Sequence, residues 1–407
     1  MDRRKLRLAL ATTLISTALG LLLGEVIARQ VYGEGFALRL DAYEDHPYRP
    51  YLDFKVQWGP RRYRMITNNL GWRDSTPRRR VEKDPGKRTR ILFLGDSFTE
   101  GVGVPYEESI PAVVGRGLGS GYEVLNSGRA SYSPLLEYQR LRRFLEEGYK
   151  TDVIVLLPDV SDPLDESIYN LRYEFAPDGE PLKLREAAYG PLLRGIYNAS
   201  ALARGARRIQ WEITDRLSAH PASATSPDLA LTGTMTAEQL AAVNPIQQRI
   251  LKAAWVFHPP SLNGWAPQGL RSIEGNIARI DRLARERSIP LLVAIYPWPT
   301  LVYHRDDPAE YAELERWFGT VWQDRERIFG RRPGPPEFEY ERRMRALCSR
   351  LGVPLVDLFP ELRSRPRWWE LYIQGDLHFN ERGYGLAGER ITAALRPLLA
   401  TQRRDPR

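Results

Sequence analysis

The sequence holds one cysteine, Cys348, and only five histidines. A single thiol excludes an internal disulfide and a cysteine-rich zinc site, while leaving the compartment open. No two of the histidines stand at metal-ligand spacing, so neither a metal nor another cofactor is expected. No internal repeat is visible, and charge of one sign is not in large excess. Lys+Arg 59 against Asp+Glu 51 leaves +8, spread along the chain. That surplus is weak support for an acidic partner, and no pattern of a base reader accompanies it, so no nucleic acid is expected. With 43% hydrophobic and 27% charged residues in 407, the chain is neither disordered nor fibrous. Its length suits one sizeable domain with insertions.

Long apolar runs are also scarce: there is one. Arg3, Arg4, Lys5 and Arg7 precede an uncharged stretch, residues 8–24, and apolar character resumes after Glu25 as far as Ala28. A spanning helix usually needs about 20 such residues. Residues 1–30 read as a membrane anchor, with Glu25 and Arg29 at the far interface. The basic flank predicts a cytoplasmic amino terminus and an extracytoplasmic, periplasmic remainder. A cleaved signal peptide and a buried core helix are the alternatives; no A-x-A site follows the run.

Residues 31–89, rich in Pro, Tyr and Arg, read as an extended lead-in, and 78–90 as a solvated loop. A regular pattern then begins. Apolar runs without alternation occupy residues 90–96, 123–126, 152–157, 290–296 and 354–359, as in strands covered on both faces. Helical stretches separate them at 135–147, 272–287 and 339–351, the last stopped by Gly352. This alternation predicts a doubly wound α/β sheet over 90–400, with its site at the carboxyl ends of the strands. Residues 166–270 break the rhythm and read as a helical insert over the sheet. Its helices are expected at 192–217 and 236–255, the second opened by a capping box at Thr236.

Ser97 follows the first strand in Leu94-Gly-Asp-Ser-Phe-Thr99. A serine on a tight turn that opens a helix has an exposed hydroxyl and a free amide. The same residues could be an ordinary helix cap. His378 lies in Gly375-Asp-Leu-His-Phe-Asn380 before the last helix, expected at 386–399, with Asp376 two residues earlier. A nucleophilic serine needs such a base, and the base a group that fixes its tautomer; the plain alternative is a surface histidine. Gly128, in Asn126-Ser-Gly128 at the second strand's end, could let its amide approach an oxyanion, or simply make a turn.

Together these blocks resemble the SGNH (GDSL-type) hydrolase family, over roughly residues 60–400. Gly95-Asp-Ser-Phe-Thr99 resembles its nucleophile block, Val124-Leu-Asn-Ser-Gly128 its second block and Asp376-Leu-His378 its last. Thr67-Asn-Asn-Leu-Gly-Trp-Arg-Asp74 is similar to a lead-in of membrane-anchored bacterial members. The resemblance implies a flavodoxin-like α/β/α sandwich with a five-stranded parallel sheet. It makes Ser97 the nucleophile, His378 the base and Asp376 its orienting acid, with the Ser97 and Gly128 amides as oxyanion donors. The family's third block places an Asn donor where this chain has Ser161, within Pro158-Asp-Val-Ser-Asp162, which makes Ser161 the candidate third oxyanion donor; Asp162 and Asp165 are expected to hold that loop. The short Asp-x-His spacing resembles envelope relatives that acetylate polysaccharides.

Trp298, just past the fourth strand, is a candidate sugar platform, although core packing is the commoner role of such a ring. His304, a few residues later, is a candidate substrate contact; His46, His220 and His258, each beside proline, are loop residues. The expected activity is a serine esterase acting on acyl, chiefly acetyl, esters of an envelope glycan or a small ester. An O-acyltransferase using the same triad is the first alternative, and a binding module that has lost turnover the second.

Overall fold

The computed structural model describes residues 3–32, 38–185, 190–206, 209, 252, 255–257 and 259–402. Helix α1 (Arg3–Tyr32) contains the apolar run, and its length and hydropathy fit a single-pass membrane anchor or a signal sequence. The elements that follow are β1 (Asp53–Trp58), β2 (Arg61–Thr67), β3 (Arg73–Asp74), β4 (Thr89–Gly95), α2 (Ser97–Glu100), α3 (Ile110–Leu118), β5 (Tyr122–Asn126), α4 (Pro134–Glu146), β6 (Val153–Leu157) and α5 (Asp162–Arg172). A short ribbon, β7 (Tyr173–Phe175) and β8 (Pro181–Leu184), leads to α6 (Pro191–Ala199). The chain then returns through α7 (Ala266–Arg285), β9 (Leu291–Ile295), α8 (Glu339–Leu351), β10 (Leu355–Asp357) and α9 (Glu381–Gln402). Most of the two expected insert helices, with the Thr236 capping box, His220 and His258, lies outside the described residues.

The central sheet runs β1-β2-β3-β5-β4-β6-β9-β10. Its last five strands are parallel and are the five expected from the apolar runs. Ile91, Leu92, Phe93 and Leu94 of β4 and Val153 to Leu156 of β6 have essentially no solvent exposure. Such burial on both faces removes the in–out alternation from the sequence. Helix α7 packs with α4, α5 and α8, while α9 packs with α3, which makes the two helical layers. The strand order reverses beside β4, where the crevice outside the carboxyl ends opens.

The sheet has eight strands, not five. Residues 53–74, within the stretch read as an extended lead-in, add three antiparallel strands at the β5 edge. The reason is visible in Asp53-Phe-Lys-Val-Gln-Trp58, where apolar and polar side chains alternate as a half-covered strand requires. Gly59, at φ +56, and Pro60 make the two-residue turn into β2. The hairpin matters because its tip carries Trp58. Arg61 pairs with Glu381 on α9, which ties the tip to the far end of the chain.

Buried arginines fix the joins. Arg73 on β3 donates to the carbonyls of Glu100, Gly101 and Val104, holding the lead-in against the loop after α2. Arg90 on β4 is fully buried and pairs with Glu123 on β5 at 2.7 Å.

Candidate active site

Strand β4 ends at Gly95, and the chain turns straight into α2. A Cβ on Gly95 would stand 2.1 Å from Thr99 Oγ1, so only glycine lets the helix fold back this tightly on the strand. Asp96 caps α2, its Oδ1 accepting from Phe98 N at 2.9 Å. The cap in the sequence is therefore Asp96, and the Ser97 hydroxyl is left free to point away from the helix. Its amide heads the helix, where N–H groups lack intrahelical partners.

At the other end of the chain, the loop before α9 brings His378 back over the strand ends. Ser97 Oγ lies 2.9 Å from His378 Nε2, and His378 Nδ1 lies 2.5 Å from Asp376 Oδ1. The same Asp376 Oδ1 accepts from His378 N at 2.9 Å, which closes the loop on itself. Asp376 Oδ2 accepts from Trp58 Nε1 at 2.9 Å, and the Trp58 ring stands edge-on to the imidazole. Phe98 packs against the imidazole from α2, with ring centroids 4.9 Å apart. The imidazole is thus fixed by three separate parts of the chain.

Protonation follows from these contacts. Burial of Asp376 works to raise its pKa, but the His378 hydrogen bond and charge outweigh it, and the carboxyl sits below its usual value. An ionised Asp376 can only accept, so Nδ1 carries the proton and Nε2 is left to accept from Ser97. For His378, burial would depress the pKa; the hydrogen bond and charge of Asp376 win and hold it above the ordinary histidine value.

Beneath the serine lies a group of buried acids. Asp96, Glu137, Asp159 and Asp162 are each at most 2% exposed. Burial first, and then their mutual repulsion, raises the carboxyl pKa of Asp96, Glu137 and Asp162; burial alone heads the causes for Asp159. Asp96 Oδ1 also accepts from Tyr296 OH at 3.0 Å, while its Oδ2 is 3.2 Å from Ser97 Oγ. With Asp96 protonated, its acid hydrogen can point at Ser97 Oγ and leave the serine proton to His378. Among the described residues, no cluster of His, Cys, Asp and Glu is arranged to hold a metal ion.

The remaining expected site residues stand differently. The Gly128 amide donates to Asn126 Oδ1 at 3.0 Å, so it already has a partner. What demands glycine there is packing: a Cβ would lie 2.3 Å from Glu100 N and 2.6 Å from Thr99 C. Gly128→Ala is expected to cost about 3 kcal/mol, because backbone cannot yield as a side chain does; urea unfolding of the two proteins measures it. Ser161 is buried at the start of α5, and both its amide (2.7 Å) and its hydroxyl bond the Asp159 carboxylate. Trp298 is 6% exposed, and its Nε1 donates to Asp159 Oδ2 at 2.7 Å. Its ring is core, and its polar edge braces the acid group. Asp162 Oδ2 accepts from Asp159 N within the loop, while Asp165 pairs with Lys252. His304 bonds only its own turn, at Val302 O, and no contact joins it to His378 or Ser97 among the described residues.

Three contributors were missed from the sequence. Trp58 could have been found from the alternation of β1. Asp159 and Tyr296 sit at the ends of β6 and β9, where chemistry was expected, but which of several polar neighbours faces inward is set by packing.

A serine hydroxyl at a strand end thus faces a histidine across the switch point of an α/β/α sandwich. Residues 93–386 match the model of the GDSL-like lipase/acylhydrolase family, and the chain belongs to that family. Among solved structures, it is similar to a carbohydrate acetylesterase family member from Sinorhizobium meliloti, at 12% identity and TM-score 0.35, covering 77% of this chain and 99% of that one. It is also similar to a lipase/acylhydrolase from Enterococcus faecalis (13%, TM-score 0.35, covering 75% and 95%). A putative arylesterase from Agrobacterium tumefaciens stands alongside (12%, TM-score 0.35, covering 76% and 99%). No curated protein matches the chain.

Proposed function

We propose that this hydrolase is a membrane-anchored serine esterase that removes a short acyl group, acetyl in the first instance, from an envelope glycan or a small ester. The observation that carries the reading is the continuous hydrogen-bonded line from Ser97 Oγ through His378 to Asp376, at 2.9 and 2.5 Å. Ser97 Oγ attacks the ester carbonyl while its proton passes to His378 Nε2, and Asp376 stabilises the imidazolium. The oxyanion is held by the Ser97 amide, with Gly128 N–H as a donor shared with Asn126. Collapse expels the alcohol, which takes the proton from His378, and leaves an acyl-Ser97. Water, deprotonated by His378, then releases the acid.

The buried acids fit this chemistry when protonated, since ionised carboxylates under Ser97 would repel the developing oxyanion. Residues 90–400, joined by the lead-in strands, would form one hydrolase domain on the extracytoplasmic side, anchored through α1. An acyltransferase would share the first half of this scheme, with a sugar hydroxyl replacing water. The short Asp376-Leu377-His378 spacing is the feature that favours that second reading.

The test is p-nitrophenyl acetate turnover by the full chain in detergent, with and without an oligosaccharide acceptor. Acetate release alone supports the esterase, acetylated acceptor the transferase. No turnover, together with no labelling of Ser97 by a fluorophosphonate, overturns both and leaves a binding module.

A narrower prediction concerns Ser161. Its hydroxyl bonds Asp159, so Ser161→Ala is expected to lower kcat less than about tenfold, against the 10²–10³ of a true oxyanion donor. Steady-state kinetics of the variant decide between the two.

A further inference from the structure

We propose that α6 lies in the membrane interface, pressing Leu192, Leu193 and Ile196 into the outer edge of the bilayer that α1 spans. This rests on the reading of α1 as an anchor, and goes beyond it by giving the hydrolase domain a lipid-contacting face.

The first observation is where the body of the protein meets α1. Residues 4–23 of the helix are exposed along its whole circumference, and contact begins only at Gly24, Glu25 and Ala28. Leu202 sits on Gly24, so closely that a Cβ there would be 3.2 Å away. The folded domain therefore begins where the uncharged run ends, at the level of the far interface.

The second observation is what touches that level. Glu25 accepts from Ser200 Oγ at 2.8 Å, Ala201 N at 2.9 Å and Leu202 N at 3.0 Å. Residues 201–206 are helical, so a carboxylate of the anchor caps the helical turn that follows α6 directly. A nine-residue helix is about 14 Å long, so all of α6 stays close to the anchor's end. At the base of α6, Asn198 exchanges two hydrogen bonds with the backbone of Leu40, at 2.9 and 2.8 Å. The helix is thus held in place by polar contacts at its carboxyl end.

The third observation is its face. Leu192, Leu193 and Ile196 are 76%, 52% and 47% exposed, and α6 buries no residue in the protein. Their spacing puts them on one side of the helix, with Asn198 and its polar contacts on another. Three large aliphatics together on one short helix would be costly in water, and an interfacial helix of this kind buries its apolar side about 5–10 Å into the headgroup boundary. A bilayer is the occupant because the anchor delivers one to this spot. Arg29, exposed beside Glu25 on the same helix face, is placed to meet lipid phosphates. A face that touches lipid holds the hydrolase close to the membrane and confines it to esters reachable there.

The test uses the full chain reconstituted in vesicles of phosphatidylethanolamine and phosphatidylglycerol. An environment-sensitive fluorophore is attached to a cysteine introduced at Leu192, at Leu14 in the apolar run, or at exposed Arg316. Cys348 is buried, and the unsubstituted chain serves as the labelling control. Expected are a blue shift at Leu192 and quenching there by a nitroxide near the lipid headgroup, quenching at Leu14 by a nitroxide near the tail end, and neither at Arg316. Adding Ile196→Asp to the Leu192→Cys protein is expected to abolish its quenching. Quenching at Leu14 with Leu192 no different from Arg316 overturns the inference and leaves the anchor standing. No quenching at Leu14 overturns the anchor, and the inference with it.

Discussion

Ser97→Ala is expected to lower kcat/KM for an acyl ester by a factor on the order of 10⁴ or more, while the protein stays folded. The loss is large because no other hydroxyl is hydrogen-bonded to His378 Nε2 among the described residues. Folding is spared because α2 is capped by Asp96, not by Ser97, and apart from His378 the Ser97 hydroxyl bonds only Asp96, at a long 3.2 Å. His378→Ala is expected to fall as far, and the double variant no further, since the two act as one unit. Kinetics of the three variants, with urea midpoints alongside, measure this. A Ser97→Ala protein that is fully folded and still turns over ester at more than a hundredth of the original rate, about 2.7 kcal/mol of barrier, contradicts the proposed mechanism.

The parts of this molecule legible from sequence are those that local chemistry determines. The five parallel strands were readable because burial on both faces leaves unbroken apolar runs such as Ile91 to Leu94. Ser97, Asp376 and His378 were readable because each belongs to a short block at a strand end or before the last helix, and the structure brings the three side chains into hydrogen-bond contact. Where sequence fell short, the missing information was long-range. Phe54, Val56 and Trp58 alternate clearly, but nothing local says that this hairpin adds to the β5 edge and reaches residue 376. Trp298 stands where a sugar platform could be, yet its neighbours cover it and its N–H turns to Asp159. Ser161 and Asp159 are two residues apart, and only the fold decides that the carboxylate faces the centre and takes up the hydroxyl.

The same long-range contact sets the second large effect. Asp376 accepts three hydrogen bonds, from His378 N, His378 Nδ1 and Trp58 Nε1, and both of its oxygens are used. In Asp376→Asn one of those oxygens becomes an NH₂ donor. It must then face either the indole N–H or the two N–H groups of His378. In the second arrangement the imidazole is pushed to the tautomer with its proton on Nε2, where it cannot accept from Ser97. A fall in kcat of about 10⁴ is expected, with KM little changed. Trp58→Phe removes the competing donor, so the carboxamide can turn its NH₂ that way and offer its oxygen to His378. The double variant is therefore expected to be faster than Asp376→Asn alone, which simple loss of structure would not produce. The pH profile supplies a separate check. In the native protein His378 titrates above the ordinary value of about 6.5 because the hydrogen bond and charge of Asp376 outweigh its burial. Activity needs the neutral base, so it rises as pH passes through that raised pKa. Without the charge at residue 376, burial weighs more, and the residual activity of Asp376→Asn is expected to rise at lower pH than that of the native enzyme. A profile that stays in place would mean that Asp376 does not hold the proton on His378.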